Sequence, residues 1–195
     1  MAKARLYKMV NPGVIKRGGI TVKVGDKTIT QPTINFSKNI SAINSLGATV
    51  NSIAILTQDL KDTFQTNFFG VVTLTQKLLP LIKKSDAGRI VNVSTILSSL
   101  TLHSAKDSPI SPAKELAYNS SKTALNAFTI HLALELKDTN IKVNSGHPGW
   151  VKTELGGPNA PIEVEDSYKT SVHLAILNDD GPSGGLFDEE DSLPW

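Results

Sequence analysis

Across residues 58–84 the apolar positions Phe64, Phe68, Val71, Val72, Leu78, Leu79 and Ile82 recur at three- and four-residue steps, the period of a helix that buries one face. The helix is expected to stop near "KKSDAG", where Gly88 follows basic residues as a C-terminal cap would. The β-branched run "RIVNVST" then reads as a short buried strand. A Ser-rich connection with Pro109 and Pro112 spans residues 96–112. A second helix follows over residues 112–137, with Ala117, Ala124, Leu125, Phe128, Leu132 and Leu136 on one face. "IKVNSGHPG" repeats the strand-to-loop pattern, residues 166–177 read as a third helical stretch, and "DDGPSGGLF" as a turn leading into a short strand before the acidic tail. This alternation over residues 58–195 predicts an α/β fold, a doubly wound, Rossmann-like parallel sheet with helices on both faces.

Residues 1–57 follow a different pattern. "ITVKVGDKTIT" alternates apolar and polar positions around a Gly-Asp pair, which predicts a β-hairpin rather than the opening of a nucleotide-binding unit. At 195 residues one core suffices, so the chain is expected to be a single domain with an atypical N-terminal segment. That segment is also basic: residues 1–50 hold eight Lys and Arg against Asp26 alone, and the remainder holds twelve against seventeen acids. The basic residues are scattered among Gly, Thr and Asn without aromatic interleaving, so no nucleic-acid partner is expected. No apolar run is long enough to span a membrane, and none is expected to be crossed. The chain has no cysteine, which excludes thiolate chemistry and suits the cytoplasm.

Candidate chemistry centres on Tyr118 and Lys122. At a spacing of four on a helix they share one face. A phenol near pKa 10 exchanges protons poorly at neutral pH, but a neighbouring ammonium stabilises the phenolate and makes tyrosine a usable acid or base. Such a pair occurs by chance on many helices, so its neighbours decide its meaning. Asn67 lies in the body of the first helix, where an amide competes for backbone hydrogen bonds and is disfavoured without a function. Ser94 and Thr95 close the buried strand, and hydroxyls at the carboxyl end of a parallel strand stand where open α/β sheets bind ligands.

Taken in order, "TNFFG", "GRIVNVST", "AYNSSKTALNAFT", "IKVNSGHPGWVKT" and "DDGPSGGLFDEEDSLPW" resemble the short-chain dehydrogenase/reductase family, and within it the carbonyl-reductase-like members. The resemblance covers residues 58–195, the part expected to be catalytic. It implies an NADP-dependent oxidoreductase that reduces a small-molecule carbonyl compound to an alcohol; the residues themselves do not exclude NAD. It implies that Tyr118 donates the proton to the carbonyl oxygen, that Lys122 lowers the tyrosine's pKa and binds the nicotinamide ribose, and that Asn67 supports a water-mediated relay. Thr95 matches the substrate-orienting hydroxyl, usually a serine, and Ser94 stands as the alternative. Pro148, Gly149, Val151 and Thr153 are implied to line the nicotinamide site. His147, just before them, is expected to be structural or a substrate-side contact.

The chain departs from the family pattern twice. The connection between Thr95 and Tyr118 is longer than usual, which by resemblance implies a monomer in preference to a dimer. The N-terminal Thr-Gly-x-x-x-Gly-x-Gly turn that holds the cofactor pyrophosphate has no counterpart: "NPGVIKRGGI" offers Gly13, Gly18 and Gly19, but with Arg17 between them and no helical pattern after them. A second reading therefore stands beside the enzyme, a non-catalytic relative or interaction module that lacks cofactor binding.

Overall fold

The computed structural model describes residues 21–24, 27–30 and 55–195. The chain divides into two compact units, Met1–Phe36 and Ser37–Trp195. In the first, β1 (Thr21–Val24) and β2 (Lys27–Thr30) pair antiparallel with Thr21 opposite Thr30 and Val24 opposite Lys27, the hairpin that the alternating pattern predicts. The other expectations for residues 1–54, including the absent phosphate turn, lie outside the described residues.

The second unit opens on one long helix made of α1 (Thr57–Phe64), a π-helical stretch (Gln65–Phe69) and α2 (Gly70–Ile82). The backbone stays right-handed helical through both junctions, so the extra residue widens one turn around Asn67 without breaking the helix. The helix closes at Lys83 in a right-handed conformation, which corrects the expectation that Gly88 caps it. Gly88 is needed for a close approach instead: a Cβ there would lie 2.9 Å from Ile82 Cγ2 and 3.0 Å from Ile141 Cγ1.

β3 (Arg89–Val93) pairs in parallel with β4 (Lys142–Gly146), Ile90 opposite Val143 and Asn92 opposite Ser145. β4 pairs in parallel with β5 (Leu186–Asp188), and β5 pairs antiparallel with β6 (Asp191–Leu193), giving the order β3-β4-β5-β6. The crossover from β3 to β4 carries α3 (Leu100–Ser104) and α4 (Leu116–Glu135); α5 (Lys169–Ala175) lies between β4 and β5. Ile90 and Val143 pack against Leu132, Ala133 and Leu136, so their side of the sheet faces α4. A Cβ on Gly146, on the opposite side, would meet Thr170 and Leu174 of α5. Helices thus cover both faces, as the α/β reading requires. Among the described residues no helix is long and apolar enough to cross a membrane.

The interface between the sheet and α4 changes character along the strands. Near their starts it is aliphatic, with Ile90, Ile141 and Val143 against Leu132 and Leu136, and Leu79, Ile82 and Phe128 packed around them. Toward their carboxyl ends it becomes polar. Asn92 Nδ2 donates to Thr129 Oγ1 (2.8 Å), and Thr129 Oγ1 lies 2.9 Å from Ser145 Oγ and donates to Leu125 O (3.1 Å). With its single proton given to Leu125, the Thr129 hydroxyl accepts from both neighbours, so its own hydrogen-bonding capacity is filled. Asn144, also buried, donates to Pro182 O and accepts from Gly185 N, clamping the Gly-Pro-Ser-Gly-Gly turn to β4.

Candidate active site

The carboxyl end of β3, the π-helical turn and the first two turns of α4 meet around Tyr118. Thr95, immediately after β3, is buried, and its hydroxyl is near enough to the Tyr118 phenol to act on its pKa in the lowering direction. Thr95 Oγ1 also accepts from Leu97 N (3.2 Å), capping the 3-10 turn Ile96–Ser98. One turn along α4, the Lys122 ammonium donates to Val93 O at 2.8 Å and stands 5.8 Å from the centre of the Tyr118 ring. Asn67 Nδ2 donates to Ser121 Oγ at 3.0 Å, and Ser121 Oγ donates to Tyr118 O at 2.8 Å, which ties the π-helical turn to the tyrosine's own backbone. Tyr118, Lys122, Thr95 and Asn67 therefore converge, although they come from three separate elements.

Ser94 is also buried but turns toward α4: its hydroxyl donates to Asn126 Oδ1 at 2.7 Å and lies 3.3 Å from Ser98 Oγ. Of the two hydroxyls considered, Thr95 is the one beside the phenol.

The loop after β4 holds the other expected residues. Gly149 has φ +80°, a left-handed conformation that favours glycine, and a Cβ there would come within 2.1 Å of Ile162 Cδ1. Val151 forms a parallel bridge with Ile162, with Lys152 N donating to Ile162 O and Ile162 N to Trp150 O. Thr153 Oγ1 accepts from Gly156 N (3.0 Å), and Trp150 Nε1 donates to Gly156 O (2.8 Å) while most of its ring stays exposed. Pro148 borders a cavity of about 330 Å³, lined also by Ile162, Asp166, Thr170 and Asp188; neither Tyr118 nor Lys122 is part of that lining. His147 is buried and its backbone N–H donates to Phe187 O (2.7 Å). Burial pushes its imidazole below its ordinary pKa against an opposing pull from Asp188.

Electrostatically, burial dominates. It raises the Tyr118 phenol above its ordinary value, with the Thr95 hydroxyl acting in the lowering direction and Glu115 in the raising one. Burial also brings the Lys122 ammonium down from 10.5 to about 8. The protein by itself therefore keeps Tyr118 protonated at neutral pH rather than preparing a phenolate.

The Lys122 shift carries a stability consequence whose sign is definite. Between about pH 8 and 10 the unfolded chain holds the Lys122 proton and the folded chain has released it, so folding stability contributed by this group rises with pH across that window. Denaturant unfolding at intervals over the same range should show that rise, and Lys122→Met should flatten it. An unchanged slope in the variant would mean that Lys122 is not desolvated.

Two contributors were missed in the sequence. Ser121 relays Asn67 to Tyr118, and Asn126 binds the Ser94–Ser98 turn. The signal that singled out Asn67, an amide in the body of a helix, applies equally to Asn126.

The chain is similar to known proteins in sequence and in fold. The family model for short chain dehydrogenase matches residues 39–162, beginning upstream of the stretch that the motifs cover. NADPH carbonyl reductase 1 of Homo sapiens is 32% identical over 170 residues, 68% of this chain and 61% of the human protein. Among solved structures, the carbonyl reductase Sniffer of D. melanogaster superposes with a TM-score of 0.65 at 27% identity, covering 83% of this chain and 75% of that one. A short-chain dehydrogenase/reductase from Burkholderia multivorans with bound NADP gives 0.62 at 25% identity, covering 75% and 60%. The chain spans 51% and 52% of some curated relatives, and 71% and 79% of others.

Proposed function

The chain belongs to the short-chain dehydrogenase/reductase family, and from that premise we propose that it is an NADPH-dependent reductase converting a small carbonyl compound to its alcohol, with Tyr118 as proton donor. The observation that carries this reading is the convergence of the Tyr118 phenol, the Thr95 hydroxyl and the Lys122 ammonium at the carboxyl end of β3. NADPH fits the residues present on its nicotinamide side. Lys122 supplies a cation for the ribose hydroxyls, and Gly149, whose Cβ position is taken by Ile162, lets the loop after β4 pack tightly beside that side chain. NADP bound to the Burkholderia multivorans relative and NADPH in the human relative's name support the phosphorylated cofactor.

Bound NADPH would supply a hydride to the carbonyl carbon. Every other step falls to the chain's own side chains. Thr95 Oγ1 donates a hydrogen bond to the carbonyl oxygen and, with Tyr118, orients it. As negative charge grows on that oxygen, the Tyr118 Oη proton transfers to it, leaving an alcohol and a phenolate. Lys122 stabilises that phenolate, and solvent returns the proton along a relay that Asn67 helps to hold. A protonated phenol is the form that reduction consumes, and burial keeps Tyr118 in that form at neutral pH. This part of the chain acts as one catalytic unit and works as a monomer.

A second reading, a non-catalytic relative, draws on the sequence pattern: residues 1–195 contain no Thr-Gly-x-x-x-Gly-x-Gly run, the pattern whose backbone donors hold a pyrophosphate. The two separate on NADPH consumption by the purified full chain with a panel of small aldehydes, ketones and quinones. Carbonyl-dependent consumption supports the reductase; none with any of them, from a folded protein, supports the remnant.

A further inference from the structure

Tyr118, Lys122 and Asn126 recur every four residues along α4 and so lie toward one side of it. The first two are half-buried. Asn126 is only 3% exposed, and both ends of its amide are engaged with the turn that carries Thr95. Its Oδ1 accepts from Ser94 Oγ at 2.7 Å, and its Nδ2 donates to Ser98 Oγ at 2.6 Å. Ser98 Oγ passes its own proton to Thr95 O at 2.5 Å. Each hydroxyl has one proton, so the directions are mutually consistent: Ser94 gives to Asn126, Asn126 gives to Ser98, and Ser98 gives to the carbonyl of Thr95. One amide thus grips the residue before Thr95 and, through Ser98, Thr95 itself.

We propose that Asn126 is a positioning residue, which fixes the Ser94–Ser98 turn to the helix bearing Tyr118 and so sets the Thr95 hydroxyl against the phenol. A leucine of similar size could fill the space but would leave two buried serine hydroxyls with lost partners, and the turn would relax to recover them. Thr123 Oγ1 donates to Ser98 O at 2.9 Å, and Lys122 Nζ to Val93 O, so the turn stays attached to α4 without Asn126. What is lost is the register of Thr95. The proposal deepens the reductase reading and, in its activity arm, rests on it.

The test uses the full chain with Asn126→Ala, Thr95→Ala and the double variant. Three quantities are read: kcat for carbonyl reduction, the NADPH dissociation constant, and the Tyr118 phenol titration followed by phenolate absorbance against Tyr118→Phe. Misplacing Thr95 should lower kcat roughly ten- to a hundredfold in each single variant. The double variant should fall within about twofold of Thr95→Ala, because Asn126 acts through Thr95. NADPH affinity should stay within about threefold of the unmodified chain, since neither residue is expected at the cofactor. Because the Thr95 interaction lowers the phenol's pKa, its titration should move upward in Asn126→Ala as it does in Thr95→Ala. Multiplicative losses in the double variant, or an unmoved phenol titration in folded Asn126→Ala, overturns the proposal. Should the alanine variant not fold, Asn126→Asp keeps the acceptor for Ser94 and removes the donor to Ser98, and the same upward titration is expected. If the unmodified chain reduces no carbonyl, the reductase reading fails while the titration still decides the positioning role.

Discussion

Tyr118→Phe is expected to abolish carbonyl reduction while leaving the fold and NADPH binding intact. The ring keeps its place on α4 and its contact with the Lys122 ammonium, and only the hydroxyl facing Thr95 is lost. Without it the developing alkoxide must take its proton from water, and general-acid catalysis of this kind contributes about 10²–10⁴ in rate. Steady-state kinetics should therefore show kcat reduced by that factor, with little change in the NADPH dissociation constant. A variant that retains more than about a tenth of the activity would remove Tyr118 from the role of proton donor.

Gly149→Val should do the reverse, weakening cofactor binding with the catalytic trio untouched. Two causes act together. The φ of +80° is unfavourable for any residue with a Cβ, and more so for a β-branched one, at about 1–3 kcal/mol. The new side chain would also displace Ile162, whose Cδ1 lies 2.1 Å from the Cβ position, and Ile162 is the bridge partner of Val151. The loop carrying Pro148, Val151 and Thr153 should lose its shape, and NADPH affinity should fall about tenfold or more, equivalent to at least about 1.4 kcal/mol. The core around Val143 and Leu132 is separate from this loop, so the unfolding transition should persist. Loss of folding with no soluble protein would show that the loop supports the core rather than the cofactor.

Much of the fold was legible because periodicity is a local signal. The apolar stripes on the two long helices and the β-branched "RIVNV" report the surface they face, the alternating pattern predicts the hairpin, and the structure places an element at each. The misses share a cause, since they depend on partners remote in sequence. The widened turn at Gln65–Phe69 is invisible to a helical period, although Asn67 marked the place. The Ser-rich connection hides α3, whose start is set by Ser99 accepting from Leu102 N. α4 begins at Leu116 rather than at Pro112, because residues 108–113 turn back on themselves through Ser108 and Ile110 carbonyls. β6 lies in the acidic tail and exists only because β5 offers it an edge.

The candidate site was legible for the same reason that it was ambiguous. Tyr118 and Lys122 announce themselves by spacing, and Asn67 by its disfavoured setting. Ser94 and Thr95 were indistinguishable by type, and what separates them is direction: adjacent residues at a strand end point to different sides, Ser94 toward Asn126 and Thr95 toward the phenol. The spacing and the resemblance both imply a lowered tyrosine pKa, and the structure gives the opposite direction: burial, which no spacing reveals, raises it and holds the phenol protonated.

The central claim is that this chain holds a working nicotinamide site beside Tyr118. Titration of the purified full chain with NADPH, followed by tryptophan fluorescence, tests it most directly, because Trp150 lies exposed in the loop expected against the nicotinamide. Saturable quenching at micromolar NADPH, retained in Tyr118→Phe and lost in Trp150→Phe, is the predicted result. No quenching and no binding by calorimetry up to millimolar NADPH, from a chain that unfolds cooperatively, would contradict it and leave a reductase fold without the reaction.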